Sequence, residues 1–544
     1  MFSEPAVGER FFGRKEVLEI LNKRVSALKD GYRQNVALTG QSLSGKSSIL
    51  HHFLHTLREE NIVPVYVEVV KEPFGSFANK FIATLLYNTL RGMGEDTGIE
   101  FDSILEKAKE SLPRTYAASK HIFSNIERAN FDEAYAALLG LTSVLKDETR
   151  MSCLVIFDEF DNLEHLGIKN PFLNFGKVIM VQKDTMYIVA SSRGEAIKKI
   201  LSEKLSLLFG NFEVVTVAGF SRATAYDFIG SKTAGFDIDD ILKAFILAFT
   251  GGNAFYLDKI LLRAREKAAE RMTNHIDEDA LGAAILELIY DSGGVIHQYL
   301  MNSLLELLDT KNKDMYLAIL LSIANGRNRQ LEIARSVKTK RADAVKHLAR
   351  LSELGLVSKC GAFYAIDDVI LEFWLKHVYQ RKRNFLVGGA LDRAAIFASD
   401  IRAYLADFRN ETDKSDAASK VAELFDSFSN DLVCLDSRSA RLPHFTRVEK
   451  RSFGEKRPFV AASVRGKYWI AQPYGDVVGE NDVIEFIRNA KSLGCKISNK
   501  LIIPLAGMDE NAKLLAKELK IAIWDLATIN TLLTFYGKKR IVLL

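Results

Sequence analysis

Hydrophobic and polar positions divide the chain near residue 220. Before it, short apolar runs alternate with longer stretches at helical spacing. The runs NVALT (35–39), VPVYVEVV (63–70), LVIFDEFD (154–161), TMYIVA (185–190) and EVVTV (213–217) predict strands. Between the first two, Ile49, Leu50, Phe53, Leu54 and Leu57 recur with the period of a helix, which predicts one from Gly45 to Leu57. A second helix is predicted over Phe77–Leu90, and several more across 98–150. Almost wholly apolar strands separated by helices imply a parallel sheet covered on both faces.

After Phe220 the pattern is helical through about Leu308. A compact unit at 314–380 follows, with helices over MYLAILLSIA, near 329–337 and near 341–354, then the hairpin LVSKCGAFYAI. Three helices plus a hairpin form the winged variant of helix-turn-helix. A basic stretch, Arg381–Asn384, leads to a helical connector, and the polar NETDKSDAAS at 410–419 marks a boundary. The last unit predicts helices at 420–426 and 481–492 and strands at 459–464, 468–472 and 500–504. The resulting division is a core at 1–220, a helical lid at 221–310, a winged helix at 311–384, a connector at 385–419 and an α/β domain at 420–544.

Composition narrows the class. The chain has 544 residues, 48% hydrophobic and 26% charged, an ordinary globular balance. No stretch approaches the roughly 20 apolar residues that span a membrane, and the N-terminus lacks a signal-peptide pattern, so a cytoplasmic protein with no membrane partner is expected. Cys153, Cys360, Cys434 and Cys495 are far apart and form no CxxC pair, which points to reduced thiols. The net charge is only +4 but unevenly spread: Gly326–Arg350 holds eight basic residues against two acids, and Leu435–Lys467 nine against three. Such clusters are footprints for nucleic acid, or solvated faces or subunit contacts.

The chemistry concentrates after the first strand. Gly40, Gln41, Ser42, Leu43, Ser44, Gly45, Lys46 and Ser47 fit GxxxxGK[ST], with Ser48 following, between a predicted strand and a predicted helix. Gly40 and Gly45 let backbone N–H groups converge on phosphate oxygens, and the helix N-terminus adds partial positive charge. Lys46 is placed to contact the β- and γ-phosphates of ATP, and the Ser47 hydroxyl to ligate Mg²⁺. The acids of LVIFDE emerge where ligands meet parallel sheets. Asp158 would hold the Mg²⁺ shell and Glu159 would orient or deprotonate the attacking water. Asp161 reads as a helix cap. After the fourth strand, Ser192 can sense the γ-phosphate and Arg193 can neutralise transition-state charge.

These residues, with FFGR at 11–14, FGNFE at 209–213 and TGGNAFYL at 250–257, resemble the archaeal-type ATPase family, in the STAND branch of the AAA+-like P-loop ATPases. The resemblance runs from about residue 8 through the winged helix, ending in YAIDD at 364–368 and in Phe373 and Trp374. It implies that Phe12 and Arg14 lie near the adenine, and that Asn253 in the lid approaches the nucleotide and reports its state. The family usually has Gly-Gly-Asn-Pro where this chain has Ala254, and Gly-Arg where it has Gly210-Asn211.

Other signals are weaker. His51 and His55 have metal-ligand spacing without a third ligand, and read as exposed polar positions. The candidate recognition helix carries Lys340, Arg341, Lys346, His347 and Arg350, suited to duplex DNA or to packing on the ATPase core. The C-terminal unit weakly resembles the restriction-endonuclease-like fold. Where that fold needs an Asp and then Glu-x-Lys, this chain has Ala461 or Ala462, then Ala471, Gln472 and Pro473, so a degenerate nuclease is expected. The overall expectation is an α/β P-loop NTPase core with lid, winged helix and nuclease-like domain. It would use ATP and Mg²⁺ as a slow ATP-hydrolysing switch, with a protein partner or self-assembly. The alternative is a DNA-binding AAA+ ATPase resembling origin-recognition or loader proteins, holding double-stranded DNA through the winged helix and the basic C-terminal stretch.

Overall fold

The structure is a computed structural model that describes residues 4–59, 61–205, 210–308, 311–384, 390–414, 416–435, 438–453 and 457–542. The chain forms two compact units: residues 1–228 with the segments 252–256 and 352–355, and the remainder.

The first unit is built on five parallel strands, β1 (Asn35–Thr39), β2 (Ile62–Glu68), β3 (Ser152–Asp158), β4 (Thr185–Ser191) and β5 (Phe212–Thr216), in the order β2-β3-β4-β1-β5. Alternate residues serve opposite faces. Ala37, Val65, Val155, Phe157 and Val189 face the helices Phe74–Gly92 and Phe131–Thr149. Val36, Leu38, Ile156 and Ile188 face the helices Lys15–Lys29 and Lys46–Thr56. Pro64 is tolerated in β2 because that strand is an edge, where a missing N–H breaks no ladder. The five expected strands are all present, and the sheet with its flanking helices is that of a P-loop NTPase core. One boundary moves. LVIFDEFD is strand only to Asp158, because Glu159 takes a left-handed φ of 51° and turns the chain into the short 3₁₀ helix Phe160–His165.

In the second unit, the helices Lys313–Ala324, Gln330–Ser336 and Arg341–Glu353 precede the hairpin β6 (Val357–Cys360) and β7 (Phe363–Ile366), as expected. The hairpin is not free. Ala362 N–H donates to Leu432 O at 2.8 Å, Asn328 Nδ2 donates to Phe535 O at 2.7 Å, Arg329 pairs with Asp431 at 2.8 Å, and the rings of Phe363 and Phe535 stack at 5.1 Å. Phe363 thereby joins the core of the C-terminal part.

That part contains the hairpin β8 (Asp431–Leu435) and β9 (Arg438–Leu442), and a second sheet of β10 (Arg447–Phe453), β11 (Arg457–Val464), β12 (Lys467–Tyr474), β13 (Ile497–Pro504) and β14 (Ala522–Ile523). β10, β11 and β12 are antiparallel, while β13 and β14 join in parallel. The sequence pattern anticipated β11, β12 and β13 but not β8, β9, β10 or β14. β10 reads RVEKRSF and sits at the sheet edge, where charged side chains block unwanted pairing and hide the alternation. No helix among the described residues is long and apolar enough to cross a membrane.

Candidate nucleotide site

The site assembles where β1, β3 and β4 end. β4 lies between β1 and β3 in the sheet, so its end delivers Ser191 and Ser192 between the phosphate loop and the acids. The loop needs its glycines. A Cβ at Gly40 would meet Val217 O at 2.5 Å, and Gly45 has φ 97°. Leu43 is also left-handed at φ 59°, as are Arg14 at 62° and Glu159 at 51°. Bulky residues adopt this region at a cost, and such outliers cluster at functional sites.

Lys46 heads the helix after the loop and is only 4% exposed. Its Nζ donates to Gly40 O at 3.0 Å, to Gln41 O at 2.9 Å and to Ser192 Oγ at 3.0 Å. Ser192 Oγ donates in turn to Glu159 Oε1 at 2.5 Å, so one hydroxyl bridges the lysine and the glutamate. Ser47 Oγ donates to Asp158 Oδ2 at 2.6 Å. The Glu159 N–H donates to Asp158 Oδ1 at 3.0 Å. Burial lowers the Lys46 ammonium from its ordinary range, opposed by Glu159, Asp158 and Asp161. Burial raises the Glu159 carboxyl, with Lys46 and the Ser192 hydrogen bond pulling it back.

The flanking residues gather at the same loop. Arg14 donates to Ser44 O at 2.9 Å and to Ala218 O at 2.6 Å, and its guanidinium lies 4.6 Å from the centre of the Phe220 ring. Burial brings it down to about 10, still cationic at neutral pH. Phe12 packs on Phe220 and Phe228. Ser48 Oγ accepts the Ala6 N–H at 3.0 Å, and Asn253 Nδ2 reaches Ser42 O at 3.5 Å. Ser44 Oγ is buried without a hydrogen-bond partner, an orphaned polar atom inside the phosphate loop.

Some placements differ from expectation. Asp161 is not a cap. It sits within the 3₁₀ turn, 4% exposed, accepting from Ser191 Oγ at 2.6 Å and pairing with Arg193 at 3.4 Å. Of the two spaced histidines only His55 is exposed, while His51 is half-buried with its ring 4.5 Å from Tyr66. His52 stacks on Phe11 at 4.0 Å. Phe209 of the FGNFE segment lies outside the described residues, as do 436, 437 and 454–456 of the basic C-terminal stretch. In the rest of that stretch Arg447 and Arg451 pair with Glu449, and Lys450 with Asp416. Sequence reasoning missed Tyr66, whose hydroxyl donates to Asp158 Oδ2 at 3.0 Å. The parity of β2 was the available signal, since Tyr66 shares a face with Glu68, the residue in register with Asp158.

Among the described residues no three His, Cys, Asp or Glu side chains cluster to hold a metal. A nucleotide-bound Mg²⁺ needs no such cage, because phosphates and waters fill most of its six positions. The hard oxygens of Ser47 and Asp158 fit that role.

Phosphate loop, paired acids and a serine between them define a P-loop nucleotide site, and residues 10–168 match the family model of the AAA ATPase domain. That span includes the loop, Asp158 and Glu159 and stops before Ser192. Among solved structures, the chain is similar to a Walker-type ATPase of Pyrococcus abyssi, at 18% identity and a TM-score of 0.49, covering 69% of this chain and 99% of that one. It is also similar to the Aeropyrum pernix ORC1 protein in complex with DNA, at 14% identity and TM-score 0.37, covering 70% and 97%. The RuvB Holliday junction branch migration motor of Thermotoga maritima matches at 14% and 0.34, covering 67% and 96%. No curated protein sequence matches the chain.

Proposed function

We propose that the chain is an ATP-driven switch of the STAND type. Its core would bind ATP and Mg²⁺, and the nucleotide state would be passed to a lid at 221–310, a winged helix at 311–384 and a C-terminal interaction domain at 420–544. The observation that supports this best is the hydrogen-bonded chain Lys46–Ser192–Glu159. The phosphate-binding cation and the candidate base are tied to one hydroxyl, so a γ-phosphate arriving at Lys46 competes for the group that holds Glu159. Ser47 and Asp158 would hold Mg²⁺, which supplies charge neutralisation at the β- and γ-oxygens when bound. Glu159 would accept the proton of the attacking water, Ser192 would sense the γ-phosphate, and Arg193 would stabilise developing charge once released from Asp161. Gly40 to Ser48 would cradle the phosphates, Phe12 and Arg14 would lie by the base, and Asn253 would report from the lid. The test is steady-state ATP hydrolysis. Glu159→Gln should bind ATP yet turn over at least about 100-fold more slowly, because the amide cannot accept the proton. An undiminished rate would remove Glu159 from the reaction.

A second reading is supported by the exposed Lys340, Arg341, Lys346 and Arg350 on and beside the helix Arg341–Glu353. These cations suit the phosphates of duplex DNA. The C-terminal unit then serves as a degenerate nuclease-like platform, with Ala461, Ala462, Ala471 and Gln472 all buried and uncharged where metal ligands would be needed. On this reading the covered β6–β7 hairpin leaves contact to the helix alone. Duplex affinity should fall steeply between low and moderate salt, and Lys340→Ala, Arg341→Ala and Lys346→Ala combined should weaken all sequences alike. No binding at low salt favours the switch.

A further inference from the structure

We infer that Tyr66 is a positioning residue for Asp158, setting how that carboxylate meets the divalent cation. The inference rests on the nucleotide reading above and deepens it. The observation is geometric. Asp158 is 1% exposed, and its Oδ2 receives two hydroxyl donors, Ser47 Oγ at 2.6 Å and Tyr66 at 3.0 Å, while Oδ1 receives the Glu159 N–H at 3.0 Å. Three donors fix the plane of this buried carboxylate.

The two hydroxyls play different parts. Ser47 can ligate a cation through an oxygen lone pair while its O–H still donates to Asp158, so its bond to the acid and its bond to the metal are compatible. Tyr66 comes from a different strand. It lies on β2, in register with Ile156, and its ring reaches along the sheet to the next residue of that face, Asp158. The His51 ring lies 4.5 Å from it, bracing the phenol against the helix that carries Lys46 and Ser47. Toward the Asp158 carboxylate, which has only acceptor oxygens, the phenol O–H is the donor. Without that donor the carboxylate keeps Ser47 and one backbone N–H, and its Oδ2 is free to turn away from the cation. A hydrogen bond to a charged group is worth enough to change a binding constant by roughly tenfold.

The prediction concerns metal-dependent binding rather than turnover. ATP is titrated calorimetrically into the full chain with Mg²⁺ and again with EDTA, and the ratio of the two dissociation constants is read. In Tyr66→Phe this Mg²⁺ enhancement should fall roughly tenfold, while the EDTA affinity and the melting temperature stay near wild type. In an Asp158→Asn background the same substitution should have no further effect, because its action passes through that carboxylate. An unchanged enhancement in Tyr66→Phe would overturn the inference. So would an equal loss in both arms, or additivity with Asp158→Asn, since either makes the phenol a packing group. If the wild type itself binds no ATP in either arm, it is the nucleotide reading that has failed.

Discussion

The sheets β1–β5 and β10–β14 are both five-stranded, both apolar on two faces and both covered by helices. They part company in the polar groups they hold. In the first, β1, β3 and β4 run out into Lys46, Asp158, Glu159, Asp161, Ser191 and Ser192, every one of them hydrogen-bonded to another member of the set or to the phosphate loop. In the second, the central strands carry Ala461, Ala462 and Ala471 inward, and Gln472, the one buried polar side chain there among the described residues, leaves Oε1 without a partner. Buried charges persist only where partners are arranged for them. A layered α/β scaffold therefore does not by itself make a site; the arranged partners do.

The sharpest way to break this comparison is to give the second sheet an acid. Ala471 is fully buried against Val460, Leu501 and Ile503. Ala471→Asp should destabilise by about 3 kcal/mol or more, because no donor awaits the carboxylate. Chemical denaturation would measure it. A cost under about 1 kcal/mol would mean that the second sheet also holds a polar pocket able to receive an acid.

The next test sharpens the first sheet. Burial raises the Glu159 carboxyl above its ordinary 4.5. A base works only when deprotonated, so kcat/KM should rise with pH through a midpoint above that value and fall away below it. The profile is corrected for the nucleotide's own ionisation. An acid limb at or below 4.5, or one that persists in Glu159→Gln, would assign the limb to another group.

Much of this was legible in the sequence because the signals were local. The phosphate loop declares itself by spacing, and β1, β3 and β4 by unbroken apolar runs, which is what a strand buried on both faces requires. What was not legible depends on register or on edges. Tyr66 and Asp158 are far apart in sequence and meet only because β2 pairs with β3. Asp161 looked like a cap because it follows a strand, and the left-handed turn at Glu159 instead carries it inward to Ser191 and Arg193. β10 escaped because an edge strand needs no apolar face. The tip of the β6–β7 hairpin has no sequence mark of its burial, since its partners Leu432 and Phe535 come from the C-terminal part.

The claim on which the rest depends is that Lys46 sits at the centre of an ATP site. Its ammonium is buried and spends its hydrogen bonds on Gly40 O, Gln41 O and Ser192 Oγ, contacts that the phosphates of ATP would replace. Lys46→Ala removes the ammonium that meets Gly40 O, Gln41 O and Ser192 Oγ and should weaken ATP binding by at least about 100-fold, as several charge-assisted hydrogen bonds are lost together. Titration calorimetry of ATP with Mg²⁺ into the wild type and the folded variant measures this directly. Saturable binding that collapses in Lys46→Ala is the expected result, and an unchanged dissociation constant would contradict the account.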